Sequence, residues 1–316
     1  MKEREVIEHI ASQAAGLAAS AARAYVRHAP GTAGKEVIVR EYLNAWLRDH
    51  PRQSVARSTF GARFHVDSRD LIQRYIYIFG VWEPPLTKWL QRTLRPGDTF
   101  VDVGANVGYY SLLASGLVGE SGTVVAIEAF PDFQDALAAN IALNPPSNVR
   151  VVNEAVSDRI ETLHFTLASS ANMGANSIVP YEGESESEAD VPARPLPAIL
   201  TPSELTAARV IKVDVEGAEG AVVRGLVPAL GLLRPDAELA IEVTPQRLTK
   251  LGDAAADLLK ALAEQGFHPY RLPNDYVAAS YPEKVRGPGP VPRRWRGPVE
   301  DETELVFSRT DAEHLK

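Results

Sequence analysis

The chain has 316 residues, 45% of them hydrophobic, enough for one large domain or two with a full core. Its net charge of −8 argues against generic affinity for nucleic acid or an anionic membrane, and the lack of cysteine excludes disulfides, thiolate metal sites and a cysteine nucleophile. No run approaches the ~18 apolar residues of a membrane helix, and the start Lys2-Glu3-Arg4-Glu5 is unlike a signal peptide, so a soluble, cytoplasmic enzyme is expected.

Residues 1–52 carry helical patterning and form an N-terminal extension. Val6, Ile7, Ile10, Ala14 and Leu17 make one stripe, and Val39, Tyr42, Leu43, Trp46 and Leu47 make another, with Pro30 and Gly31 between them. The first stripe is expected to be a peripheral support helix, with packing on a second copy of the chain as the alternative. Residues 53–95 read as a connecting layer. Val55 to Val66, with Gly61 at its centre, suits a hairpin, and the apolar run Leu71 to Phe79 stops at Gly80.

From residue 96 to 316 strands and helices alternate, which predicts an α/β domain with a mostly parallel sheet covered on both faces. Strands are expected at 99–103, 123–128, 149–153, 209–214, 238–243, 268–272 and 303–308, with helices at 108–117, 131–143 and 253–265. Ligands of such sheets bind beyond the carboxyl ends of the strands. Asp102, Glu128, Glu154, Asp214 and Glu242 all fall at or just past such ends.

The most informative segment is Phe100-Val-Asp-Val-Gly-Ala-Asn-Val-Gly-Tyr-Tyr110, a strand, a turn containing Gly104 and Gly108, and a helix start. Asp102 would repel a pyrophosphate but suits an ammonium group, and Val103 and Val107 break the dinucleotide spacing. S-adenosylmethionine is therefore the expected cofactor. Glu128, 26 residues past Asp102 (128 minus 102), is placed to accept a ribose diol, and Ala129 and Phe130 are placed to pack on adenine.

The segment Val210-Ile-Lys-Val-Asp-Val-Glu-Gly-Ala-Glu219 puts Asp214 where it would accept a substrate proton, touch the methionine end of the cofactor or hold a metal. Glu219 is expected to cap a helix. Glu242 probes the same cleft, and with Asp214 forms the weak candidate pair for a divalent cation such as magnesium. Seven histidines are scattered without a metal pair; His65 and His268 lie in strand-like segments. Two loops are expected to shape the substrate side. One is Ser169 to Ser177, followed by an acidic, solvated run from Glu182 to Asp190. The other is 273–301, with Lys284, Arg286, Arg293, Arg294, Trp295 and Arg296, either a reader of an anionic or carrier-bound substrate or a stiff surface loop.

These motifs resemble the FkbM-type S-adenosylmethionine-dependent methyltransferases, from about Gly61 to Phe307. The resemblance rests on Ile76-Tyr-Ile-Phe-Gly-Val-Trp-Glu-Pro84, the turn above, Ile127-Glu-Ala-Phe-Pro131, Asn153-Glu-Ala-Val-Ser-Asp158 and Ile211-Lys-Val-Asp-Val-Glu-Gly-Ala-Glu219, the last being the most family-specific. It implies a class I methyltransferase with a Rossmann-like, seven-stranded sheet. It also implies that Asp102, Gly104, Ala105, Asn106, Gly108 and Tyr109 hold the methionine part and Glu128 the ribose. Ala129 and Phe130 with Glu154 and Ala155 would frame adenine, and Asp214 would line the reaction centre.

The expected reaction is O-methylation of a hydroxyl on a sugar, polyketide or other secondary metabolite. Methylation of a peptide or amide nitrogen is the alternative. Because an alcohol is a poor nucleophile at neutral pH, a base should assist: Asp214 first, Glu242 second, and His268 or His65 third. The acceptor is a small molecule or is carried on a peptide or carrier, with a homodimer through the N-terminal helices as a further possibility. A nucleotide-dependent oxidoreductase and a non-catalytic binding module are the competing classes on the same sheet.

Overall fold

The computed structural model describes residues 2–144, 148–167 and 187–315. The chain divides into two compact units, Met1–Pro84 with Asp275–Pro288, and Pro85–Asn274 with Gly289–Lys316.

The N-terminal unit opens with the helix Lys2–His28, followed by Lys35–Ile38, a π-helical turn Val39–Leu43 and the helix Asn44–Asp49. Val39, Leu43 and Leu47 are buried as their spacing implies, but Ala14 and Leu17 of the first stripe are exposed, and Ala19 and Val26 turn inward instead. The hairpin is present as β1 (Gln53–Arg57) and β2 (Arg63–Asp67), antiparallel with Ala56 opposite Phe64. The apolar run becomes the helix Leu71–Phe79 because both ends are capped. The Asp70 side chain accepts the Gln73 N–H at 2.8 Å, and Gly80, at φ 76°, closes the last turn in the left-handed region. The unit's aromatic core includes Tyr75, set edge-on to Tyr281 at 4.7 Å.

The second unit holds the large sheet. Its strands are β3 (Thr99–Val103), β4 (Thr123–Ile127), β5 (Val149–Val152), β9 (Ala208–Val213), β10 (Glu238–Val243), β11 (His268–Arg271), β12 (Arg293–Arg294) and β13 (Thr303–Ser308). They lie in the order β12-β11-β13-β10-β9-β3-β4-β5. Five form a hydrogen-bonded parallel block, β13 runs antiparallel to both of its neighbours, and β11 therefore runs in the same direction as the block. The expected seven strands are all present. The eighth, β12, is a two-residue edge addition too short to leave a periodic signal. A smaller sheet, β6 (Ala155–Val156), β8 (Ser187–Arg194) and β7 (Glu161–Leu167), stands apart from it.

Strand periodicity sorts the side chains onto two faces. Val101, Val103, Ile211, Val213, Leu239 and Ile241 pack with Val222 and Leu226 of the helix Glu219–Leu226 and with Leu258 and Leu262 of the helix Ala255–Glu264. The opposite face carries Ala126, packed with Leu137 of the helix Pro131–Ala142, and also Asp102 and Lys212, which are register partners across β3 and β9. The chain steps outward from β3 through β4 to β5 on one side and from β9 to β10 on the other. The strand order thus switches between β3 and β9.

The helix Glu219–Leu226 approaches the Ser157 backbone so closely that a Cβ on Gly225 would lie 2.4 Å from the Ser157 carbonyl oxygen. Gly225→Ala is expected to destabilise the protein by about 2–4 kcal/mol in urea unfolding, because backbone rather than a flexible side chain must yield. The control Gly231→Ala, with nothing within 4 Å of its added carbon, should stay within about 0.5 kcal/mol.

Candidate active site

At the switch point, the turn after β3 lies against the end of β9. Gly104 has φ 83°, and a Cβ there would fall 1.9 Å from the Asp214 carbonyl oxygen, so only glycine fits. The Asp214 N–H in turn donates to the Val103 carbonyl at 3.0 Å. Gly108, also at φ 83°, precedes the helix Tyr109–Val118 and leaves room for Leu137.

The N–H groups of the turn are used within the protein. Those of Gly104 and Ala105 share the Ile127 carbonyl, each at 3.0 Å. That of Asn106 goes to Glu128 Oε2 at 2.7 Å, that of Val107 to the Asn106 side chain at 2.7 Å, and that of Gly108 to the Ala105 carbonyl at 2.8 Å. Asn106 holds φ 50°, a left-handed conformation that asparagine tolerates better than most residues. A pyrophosphate would need these donors. A cationic ligand would not.

Glu128 follows β4 and is buried. Its Oε2 accepts Asn106 N–H and its Oε1 accepts Phe130 N–H at 2.9 Å, which leaves acceptor capacity on both oxygens for a diol. Burial pushes its pKa up to about 7 despite those N–H bonds, with the nearby Asp102 adding to the rise. Asp102 lies wholly inside the fold. Its Oδ2 accepts the Ser111 hydroxyl at 2.6 Å, and its Oδ1 has no hydrogen-bond partner and faces Lys212 Nζ at 3.9 Å. Burial raises the Asp102 pKa against the pull of Lys212.

Lys212 is itself buried, donates to Asp214 Oδ2 at 2.9 Å and sits 5.0 Å from the centre of the Tyr110 ring. Asp214 is partly open to solvent. Glu242 lies on β10 one residue beyond the Ile241–Val213 pair, which puts it level with Asp214, and across β13 it faces Glu304. Among the described residues no three His, Asp or Glu side chains assemble a metal site, so Asp214 and Glu242 do not form the suggested cation pair with a third ligand.

The loop after β9 is shaped by two glutamates. Glu219 Oε1 accepts the N–H groups of Val215 and Gly217 at 3.2 and 3.0 Å, so it ties down the loop before the helix instead of capping the helix as expected, and burial pushes its pKa up to about 7. Glu216 takes φ 55° and pairs with Arg247, and Gly217 completes the turn at φ 114°.

Several expected contacts fall elsewhere. Phe130 is buried against Phe133, ring centres 5.9 Å apart, and offers no open face to adenine. Ala129 and Ala155 share one small apolar cluster next to it. Glu154 is engaged by Arg194 through two bonds of 2.6 and 2.9 Å. Tyr109 is buried with its hydroxyl 3.1 Å from Thr87. His268 begins β11 opposite Ser308, which is itself opposite Glu238. It therefore lies at the amino ends of the parallel strands, five residues or roughly 17 Å from the carboxyl rim, and is not a catalytic base there. His65 is an exposed residue of β2 in the other unit.

The basic loop is paired with its own chain: Lys284 with Asp275, Arg286 with the Ala29 carbonyl, Arg294 with Asp311 and Arg296 with Glu313. Arg293 pairs through its backbone with His314. The side chains of all these cations but the exposed Arg293 thus have a partner among the described residues. Ser169 to Ser177 lies outside the described residues, as does Glu182–Glu186 of the acidic run. The remainder of that run, Ser187–Asp190, is part of β8, paired with β7, rather than a coil, and its acids Glu188 and Asp190 are exposed to solvent as expected. Lys212 and Ser111 were not anticipated, although a strand period of two places Lys212 on the face of Asp214.

A curated relative, the hexuronic acid methyltransferase AglP of Haloferax volcanii, is 26% identical over 222 residues, covering 69% of this chain and 88% of that protein. Among solved structures, Aeropyrum pernix fibrillarin with bound S-adenosyl-L-methionine covers 81% of each chain at 10% identity and a TM-score of 0.40. An S-adenosylmethionine-dependent methyltransferase from Aquifex aeolicus covers 71% of this chain and 88% of its own at 16% identity and a TM-score of 0.38. A model of the protein-L-isoaspartate(D-aspartate) O-methyltransferases matches residues 35–158. The enzyme is an S-adenosylmethionine-dependent methyltransferase with a Rossmann-like fold. The methyltransferase FkbM domain matches residues 102–269, more than half of the chain, and the protein belongs to that family. The oxidoreductase and non-catalytic readings are thereby set aside.

The raised pKa of Glu219 has a measurable consequence. Its folded pKa of about 7 lies above the ordinary value of 4.5, so between those pH values the folded protein binds more protons than the unfolded chain. Stability from this group is therefore lost as pH rises through that window. Glu219→Gln keeps an acceptor oxygen and removes the buried charge. Urea unfolding should find it equal to or up to about 3 kcal/mol more stable than wild type at pH 8, with a flatter pH profile. A variant less stable at pH 8 would contradict this assignment.

Proposed function

We propose that the enzyme methylates an oxygen of a sugar, with a hydroxyl of a uronic-acid-type glycan as the first acceptor to consider. The observation that carries this reading is Asp214. It is a partly solvent-open carboxylate just past the central strand β9, with one oxygen fixed by the buried Lys212 at 2.9 Å and the other not engaged by that lysine. A hydroxyl loses its proton as it is methylated, and a carboxylate anchored on one oxygen is suited to receive it. The relative's printed activity on hexuronic acid supports the sugar class.

The turn from Gly104 to Gly108 would shape the seat for the methionine part of the cofactor, and Glu128 would take the ribose hydroxyls. Ala129 and Ala155 would border the adenine. Asp102 would act from beneath the turn by balancing the Lys212 charge rather than by direct contact. Bound S-adenosylmethionine supplies an activated methyl group on sulfur, so the protein's tasks are to orient the acceptor, exclude water and hold the proton. Glu242, level with Asp214, is the second carboxylate available to orient a sugar.

Incubation with radiolabelled S-adenosylmethionine and a panel of uronic acids, their glycans and neutral sugars tests the acceptor class, with label expected in the sugar fraction. Asp214→Asn should lower turnover by at least about 100-fold, the usual scale for a general base, while cofactor affinity changes by less than about threefold. Full turnover in Asp214→Asn would remove the base role. Label appearing only in amide-containing acceptors would overturn the oxygen reading.

A further inference from the structure

Three arginines of the N-terminal unit stand together without a counter-charge. Arg23 donates from Nε to the Tyr77 carbonyl at 2.7 Å and lies over the Tyr77 ring at 3.9 Å. Arg27 donates from Nη1 to the carbonyls of Ile76 and Tyr77 at 3.4 and 3.3 Å and from Nη2 to the Arg57 carbonyl. Arg52 donates to the Ser20 hydroxyl at 3.1 Å and the Gly16 carbonyl at 3.0 Å, and lies 5.1 Å from the Trp46 ring centre. Every acceptor is neutral. Four other arginines, by contrast, pair with acids: Arg69 with Asp67, Arg150 with Glu204, Arg194 with Glu154 and Arg209 with Glu238. No carboxylate of the described residues pairs with Arg23, Arg27 or Arg52. Glu8, the nearest acidic position on the same helix, is about four turns before Arg23, roughly 22 Å along the axis.

The cluster is costly as it stands. Burial, with Arg52 adding a smaller part, depresses the pKa of Arg23, and burial together with Arg23 pushes that of Arg27 down to about 10. The carboxyl end of the helix Leu71–Phe79 supplies only about half a negative charge against three cations, leaving an excess of roughly two and a half. The Arg27 guanidinium lies against Gly80, where an added Cβ would fall 2.7 Å from Nη2, although it is the φ of 76° that calls for glycine there. Arg23 is only partly buried, and among the described residues its Nη1 and Nη2 have no hydrogen-bond acceptor, which leaves that edge of its fork unused.

We propose that Arg23, Arg27 and Arg52 form a binding site for a phosphate-type oxyanion, held chiefly by the free fork of Arg23. A dianion matches the excess charge, and an arginine fork matches two oxygens of a tetrahedral anion. The site is read out by binding alone.

The test is thermal unfolding of the full chain in inorganic phosphate against sodium chloride of equal ionic strength, with glucose 1-phosphate as a second probe. Phosphate at 20 mM should raise the wild-type Tm by a few degrees beyond chloride, and calorimetry should show one saturable site. Arg23→Gln and Arg52→Gln should each abolish most of that excess, while Arg23→Lys should retain part of it. A stronger response to glucose 1-phosphate than to inorganic phosphate would assign the site to phosphate esters, and an equal response to the anion itself. Wild type responding no more to phosphate than to chloride would overturn the proposal, as would an undiminished phosphate response in folded Arg23→Gln.

Discussion

The site depends on one contact, the Gly104 backbone lying against the carbonyl of Asp214. It joins the turn after β3 to the loop after β9 at the point where the strand order switches, where a cleft necessarily opens. With the two segments held this close, the turn folds inward and satisfies its own N–H groups on Ile127, Glu128 and the Asn106 side chain. The seat that results is lined by carboxylates rather than by free donors. That polarity would suit the sulfonium and ammonium groups of S-adenosylmethionine better than the pyrophosphate of a dinucleotide.

Beneath this seat lies a set of buried charges that would be unfavourable singly. Asp102 and Lys212 are register partners on neighbouring strands, and Lys212 continues to Asp214. One cation therefore serves two carboxylates, one fully buried and one at the rim. Glu128 and Glu219 are buried as well, each held by two backbone N–H groups of adjacent turns. Buried carboxylates that accept backbone N–H groups fix the shape of irregular chain where no ladder can do so. The same burial that costs stability thus defines the two loops that meet at the switch point of the sheet.

The sheet was legible because its strands are apolar runs whose ends are marked by glycine and acid. All seven principal strands were found, most within a residue of their observed ends. The two-residue strands β6 and β12 carry no periodicity, and β8 contains Pro192 and acidic residues that read as coil. That Asp102, Glu128, Asp214 and Glu242 fall at or near the carboxyl ends of parallel strands was legible from strand ends alone. Strand ends do not say where a side chain finds its partner, and so Phe130 and Glu154 were expected in the cofactor's path although Phe133 and Arg194 claim them. His268 was misplaced for another reason: it opens its strand instead of closing it. Lys212 was passed over because a lysine inside an apolar strand attracts notice only once its cross-strand neighbour, Asp102, is known.

The central claim is that the turn and Glu128 form a seat for S-adenosylmethionine and not for a dinucleotide. Isothermal titration of the full-length protein with each ligand tests this most directly. The account predicts one saturable site for S-adenosylmethionine with micromolar affinity and no measurable heat with NADH. Binding of NADH, or of neither ligand, would contradict it.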